Sequence, residues 1–126
     1  MPAPSAQRFR LRREQRLKLR REFEQARTAG TRVVCGCLIA NLLSLGPGAR
    51  PRLGVVTSRK IGDAVTRSRA RRLLRESFRR HQHELREPAA VVLVARNSIV
   101  GKKLPDVERD YLTALTRGGL LKPANA

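Results

Sequence analysis

Residues 59–80 read RKIGDAVTRSRARRLLRESFRR, and the second half of that run demands an amphipathic helix. Ala70, Leu73, Leu74, Ser77, Phe78, His81 and Leu85 recur at the three- and four-residue intervals of one helical face. That stripe needs a core to lie against. Nine cations share the same 22 residues, opposed only by Asp63 and Glu76. Arg67, Arg71, Arg75 and Arg79 follow one another at i, i+4, with Arg72 beside them, and predict a basic stripe next to the apolar one. Cations carried on a partly buried helix are held in place, which suits a polyanionic partner.

The rest of the chain supports that polarity. Twenty-eight Lys and Arg against ten Asp and Glu leave a net charge of +18 on 126 residues. A balance of this size speaks to partners rather than to fold. Phosphate polymers and anionic membranes are the candidates. Apolar runs such as residues 33–40 and 89–95 fall far short of the roughly 20 residues that cross a bilayer. The start, MPAPSAQRFRLRREQR, lacks the apolar block of a signal peptide, so the expected location is cytoplasmic. Arg dominates the cations; its planar fork binds phosphate bidentately and stacks on bases.

Local patterns predict an α+β fold, a small two-layer sandwich in the order helix, strands, helix, strand, helix, with a mixed four-stranded sheet. Residues 1–10 read as a flexible basic tail, 11–117 as a single RNA-binding domain and 118–126 as a flexible C-terminal tail. Leu17, Leu19, Phe23 and Ala26 predict a first helix over 11–29, closed by Gly30. Residues 33–45 read as one strand, or two split at Gly36, ending at Gly46-Pro47-Gly48. A second strand over 52–58 is expected to pair with it as an antiparallel hairpin. Asp63 reads as a turn residue, and Thr66 or Ser68 as the cap of the basic helix. Ala89–Ala95 (AAVVLVA) reads as a buried strand, and Pro105 opens a final helix through Val107, Tyr111, Leu112 and Leu115. Cys35 and Cys37 are too close along one strand face for a comfortable disulfide and are expected as reduced, partly buried thiols. His81 and His83 read as structural. Glu76 is expected to pair with Arg72 or Arg80 inside the helix.

Residues 60–80 resemble the signature of the bacterial ribonuclease P protein subunit. Lys60, Gly62, Ala64-Val65, Arg67 and Arg69, Arg71-Arg72, Arg75, Glu76, Phe78 and Arg79 match in order. Arg21-Glu22-Phe23, Gly30, the run from Arg52 to Lys60 and the strand at 91–96 fit as well, so the likeness covers about residues 11–116. Ser68 stands where the family has Asn. Arg27 stands where a second aromatic is usual, and the first strand region has Leu38 and Asn41 in place of aromatics.

The resemblance implies a protein that assists a catalytic RNA in removing the 5′ leader of precursor tRNA, with no catalytic residue of its own. It implies a ribozyme-facing surface of Lys60, Arg67, Ser68, Arg69, Arg71, Arg72, Arg75 and Arg79. It also implies a cleft for the leader between the first helix and the sheet, for which Phe23, Arg27, Leu38, Arg52 and Arg59 are the candidates here, with Lys60 at the rim. Magnesium held mainly by the RNA, and a left-handed strand–helix–strand crossover, are implied too. The rival expectation is a ribosomal-protein-like or RNA-chaperone binder without a catalytic partner. A stand-alone nuclease would need a carboxylate cluster or a catalytic His pair, and the sequence assembles neither.

Overall fold

A strand that is apolar at every position, as AAVVLVA is, has to be covered on both faces, and this requirement organises the molecule. The computed structural model describes residues 15–17 and 20–121. Its elements are α1 (Arg20–Ala29), β1 (Thr31–Cys35), β2 (Leu38–Ser44), β3 (Arg52–Val56), α2 (Ala64–His81), β4 (Ala89–Ala95) and α3 (Leu104–Arg117). The strands form one sheet in the order β1-β2-β4-β3. The first two pairings are antiparallel and β3–β4 is parallel. The mixed α+β architecture is therefore the one expected, and the strand split at Gly36 is present.

The expected hairpin between residues 33–45 and 52–58 is not. β4 lies between β2 and β3, an interior place that suits a strand buried at six of its seven positions. Adjacent strands are about 4.8 Å apart, so skipping one needs roughly 10 Å, and residues 45–51 span it. The backbone N–H of Leu45 donates to the Pro88 carbonyl at 2.9 Å, tying this crossing loop to the start of β4.

Alternation along the strands divides two cores. Leu38, Ala40 and Leu42 of β2 and Val91 and Leu93 of β4 face α2 and α3, where they meet Leu74, Phe78, Val107, Tyr111 and Leu115. Ala90 and Val92 face the other way, towards Leu17, Phe23 and Ala26. The helices thus pack on both sides of the sheet, with α1 alone on the second face, so α1 adds a partial third layer to the two expected. α2 buries Ala70, Leu73, Leu74, Ser77 and Phe78, while the last two residues of the stripe read from the sequence, His81 and Leu85, are only half-buried and Leu85 lies past the end of the helix. α3 starts with Pro105 in its first turn as expected. His81 holds the end of α2: its Nδ1 lies 2.6 Å from Glu84 and its Nε2 2.5 Å from Glu108 of α3.

Several boundaries differ from expectation. α1 begins at Arg20, and Gln15–Leu17 run as backbone beside β3, with the Leu17 N–H donating to the Leu53 carbonyl at 2.7 Å. The start of the expected first helix at 11–14 and the tails at 1–10 and 122–126 lie outside the described residues. Residues 118–121 are not tail: Leu120 and Leu121 are buried, and the Leu120 carbonyl accepts from the Arg86 N–H at 2.8 Å. Asp63, read as a turn residue, is the N-cap of α2 and accepts from the Thr66 N–H at 2.8 Å. Cys35 and Cys37 are buried free thiols. Burial and the Asp110 carboxylate, which accepts from the Cys37 N–H at 3.0 Å, push the Cys37 thiol up to about 12.

Gly54 lets α1 approach the sheet. A Cβ there would lie 2.5 Å from the Phe23 ring. Gly54→Val is therefore expected to unseat Phe23 and destabilise the fold by about 1–3 kcal/mol, the usual range for overpacking, as a lower urea midpoint. An unchanged midpoint would show that Phe23 is not seated against β3.

Candidate nucleic-acid interface

A helix turns 100° per residue, so each i, i+4 step drifts by about 40° and a row of such steps winds away from any one face. The expected stripe of Arg67, Arg71, Arg75 and Arg79 accordingly splits. Arg71 turns towards the sheet, where its guanidinium donates to Thr57 Oγ1 at 2.7 Å and to Ser68 Oγ at 3.1 Å. Arg67 is half-buried on the same flank. The face of α2 that looks outward instead carries Ser68, Arg69, Arg72, Arg75 and Arg79, which line one open depression of about 860 Å³ together with Val65, Glu76 and Arg16. Lys60 and Arg59 are exposed on the 3-10 turn Arg59–Ile61 that leads into α2.

Arg16 was not among the residues picked out by sequence. It reaches this face because residues 15–17 lie along β3, an arrangement that no helical period could suggest. Its presence changes the electrostatics: five arginines share the depression with a single carboxylate. That carboxylate is already engaged. Glu76 accepts from Arg79 at 2.8 and 2.5 Å, not from Arg72 or Arg80 as expected, and this pairing holds Glu76 below the usual carboxylate range and raises Arg79. Arg80 instead lies 3.5 Å from Glu108. Among the described residues, Arg72 and Arg75 have no anionic partner. Partial burial, then Arg16 and Arg71, push Arg75 below the ordinary guanidinium value. It stays charged, held among like charges.

The second face of the sheet carries a different surface. α1 covers part of it, with Phe23 half-buried over Gly54. Beyond α1, Val34, Ile39, Val94 and Val56 are register partners across all four strands and share that face. Val34 is 40 % and Val56 38 % exposed, so the cleft has an aliphatic floor. Arg27 is exposed on α1. Arg52 is half-buried and paired with Glu22, which engages the charge it was expected to offer.

Leu38 does not belong to this cleft. It is fully buried on the opposite face, against α2 and α3; strand alternation sends its neighbour Ile39 to the cleft instead. Sequence reasoning missed Val34, Ile39, Val56 and Val94, whose meeting depends on a strand order that no local pattern encodes. Among the described residues no group of three or more His, Cys, Asp or Glu side chains could hold a metal ion, and no helix is long and apolar enough to cross a membrane.

The chain matches the sequence profile of the Ribonuclease P family over residues 11–118. It is 38 % identical over 92 residues to the ribonuclease P protein component of Desulfatibacillum aliphaticivorans, covering 73 % of this chain and 77 % of that one. It is 31 % identical over 107 residues to that of Symbiobacterium thermophilum, covering 85 % and 93 %. Two solved structures share the fold. The RNase P protein of Staphylococcus aureus superposes with a TM-score of 0.76 at 20 % identity, covering 86 % of this chain and 98 % of that one. The RNase P protein from Thermotoga maritima does so with 0.71 at 26 %, covering 81 % and 96 %.

Two outcomes follow from the electrostatics. Arg75→Met keeps the apolar stem and removes a charge crowded by Arg71 and Arg16. It should stabilise the free protein by about 0.5 kcal/mol at low ionic strength, from two like-charge contacts, and the gain should shrink as salt screens them; thermal melts at two salt concentrations check this. Asp63 has its carboxyl lowered chiefly by the Thr66 backbone N–H. Its contribution to stability is present above the ordinary carboxylate range and is lost as pH falls through the lowered folded value. Asp63→Asn keeps an acceptor but cannot titrate, so melts of this variant should fall less steeply on the acid side than those of the parent.

Proposed function

The chain belongs to the Ribonuclease P protein family, and from that premise we propose that it is the RNA-binding subunit of a ribonucleoprotein that removes the 5′ leader from precursor tRNA. Five arginines facing one open depression against a single, already paired carboxylate carry this reading. The depression would take the phosphate backbone of the catalytic RNA, with Lys60 and Arg59 extending it at the head of α2. Arg67 and Arg71 flank that surface, and Arg71 acts mainly by tying α2 to β3 through Thr57. Ser68 contributes a hydroxyl that accepts from Arg71, which helps aim that guanidinium.

On the other side of the sheet, the cleft beside α1 would hold the single-stranded leader. Single strands are held by cations along the backbone and by flat or apolar platforms under the bases. Here the platform is Val34, Ile39, Val56 and Val94 with the edge of Phe23, and Arg27 stands at the rim. An aliphatic floor offers contact to every base without reading any, so the preference for leader sequence should be weak. Because the two surfaces lie on opposite sides of one sheet, the protein can grip ribozyme and substrate together and offset the repulsion between them.

In this reading the cleavage itself belongs to the RNA. The acidic side chains that the structure describes at close range serve structural partners: Asp63 and Asp106 cap helices, Glu22 and Glu76 pair with Arg, Glu84 and Glu108 hold His81, and Asp110 accepts from Cys37. In the same reading the magnesium ions that stabilise attacking and leaving oxygens would be held mainly by RNA phosphates. The working location would be the cytoplasm.

The test is reconstitution with a bacterial ribonuclease P RNA and a precursor tRNA. The protein should restore cleavage at low magnesium and cut nothing alone; binding without stimulation would favour an RNA chaperone, and cleavage by the protein alone a nuclease. With about six phosphate contacts, affinity for the RNA should fall roughly a thousandfold between ~50 and ~200 mM salt. Arg72→Ala with Arg75→Ala should lower the salt slope by about 2, one for each phosphate no longer neutralised. An unchanged slope would remove the depression from the interface.

A further inference from the structure

Val65 is 78 % and Val100 52 % exposed, the two most exposed large apolar side chains of the described residues. Neither position serves the fold. Val65 lies in the first turn of α2, outside its buried stripe, and a β-branched residue is not a favoured choice in a helix. Val100 follows the 3-10 turn Asn97–Ile99, in the loop before α3.

The two come from separate elements yet border one recess of about 240 Å³ between the head of α2 and that loop. Buried Ala70 and Ile99 close its floor, and Gly101 leaves its mouth without a side chain. Arg69 stands at the rim. Its guanidinium donates to the Lys102 carbonyl at 2.8 Å, which fixes the charge beside the opening, and Lys103 is exposed just beyond. Val65 and Arg69 also line the arginine depression, so the recess opens directly off that surface.

We propose that this recess is a docking site for one unpaired nucleobase of the catalytic RNA, extruded from the strand that lies in the arginine depression. The base would rest on Val65 and Val100 while Arg69 meets the phosphate beside it. This deepens the function proposed above and rests on it. Three observations select the occupant. The recess is smaller than the roughly 300 Å³ at which small-molecule sites begin, so it takes a ring system and not a whole ligand. Its contact area is too small for a protein partner, whose specific interfaces start near 1,000 Å². Its rim is cationic and its interior apolar, which is the pairing a nucleotide presents in reverse. Folded RNA is commonly recognised through such splayed-out bases.

The experiment measures binding of a bacterial ribonuclease P RNA transcript across a salt series, with chemical probing of its unpaired nucleotides. Val65→Ser with Val100→Ser should weaken binding about fivefold, within the range for removing the platform under one base. The salt slope should stay unchanged, because no charge is altered. One unpaired nucleotide protected by the parent protein should become reactive with the variant. Both positions are exposed, and matching thermal melts would confirm that the variant is folded. Val100→Lys separates the site from plain electrostatics: a new cation that weakens binding supports an apolar base site, whereas one that tightens it overturns the proposal. Equal affinity and equal protection for parent and Ser variant overturn it as well. Failure of the parent protein to bind the RNA at all would instead overturn the function on which the site rests, and the site with it.

Discussion

Burial of β4 on both faces is the constraint from which the rest of the architecture follows. A strand without a polar position cannot sit at an edge or against water, so it takes the interior of the sheet and pushes β2 and β3 apart. Each of its faces then requires helical cover. α2 and α3 supply it on one side, and α1 supplies it on the other. Because α1 is only ten residues long, its cover is incomplete, and the row from Val34 to Val56 is left open. The basic helix and the cleft are therefore on opposite sides for the same reason. A chain of this size has material for one modest core on each face of a single sheet, and little else.

α2 satisfies two demands that conflict. Its inner stripe must bury Leu74 and Phe78 in the core, which fixes the helix rigidly, while its outer face crowds arginines that repel one another. Some arginines have a carboxylate partner: Arg52 meets Glu22, Arg20 meets Glu24 and Arg80 meets Glu108. Among the described residues Arg72 and Arg75 have none. The free protein thus holds an electrostatic cost that hydrophobic burial of the same helix offsets. Binding an anion there would relieve that cost. A functional surface often departs from the rules that the remainder of a fold obeys.

How much of this was legible in the sequence depends on the range of the interaction concerned. The buried stripe of α2 was legible from Ala70 to Phe78, because it is written in a 3.6-residue period, and it was read too far only at His81 and Leu85. The start of α3 at Pro105, the split at Gly36 and the apolar strand at Ala89–Ala95 were legible for similar local reasons. The expected hairpin failed because adjacency in sequence stood in for adjacency in the sheet, and only the two-sided burial of β4 distinguishes the two. Leu38 was assigned to the cleft without the alternation that sends Ile39 there. Arg16 escaped notice because residues 15–17 read as part of a helix, whereas hydrogen bonding to Leu53 holds them along β3. Ser68, Arg69, Arg72, Arg75 and Arg79 were all picked out from the sequence and share one open face, whereas the i, i+4 row read through Arg67 and Arg71 drifts off it.

The departures from the family pattern now bear on one another. Ser68, in place of Asn, is too short to reach far from the helix, and its hydroxyl is taken up by Arg71 within the protein. In the proposed interface the contacts at that point would fall to guanidinium groups, whose contacts to phosphate carry no sequence information. The cleft shows the same tendency. Without aromatics on the first strands, its platform is branched and aliphatic, so dispersion and desolvation must replace stacking, and these discriminate still less between bases. Charge rises as base-specific recognition falls away: Arg27 occupies the place of an aromatic, and Arg16 joins the depression. A protein built this way leaves sequence reading to the RNA with which it would assemble, and supplies position and counter-charge. In the proposed assembly its affinity would then lean on counterion release, and hence on ionic strength.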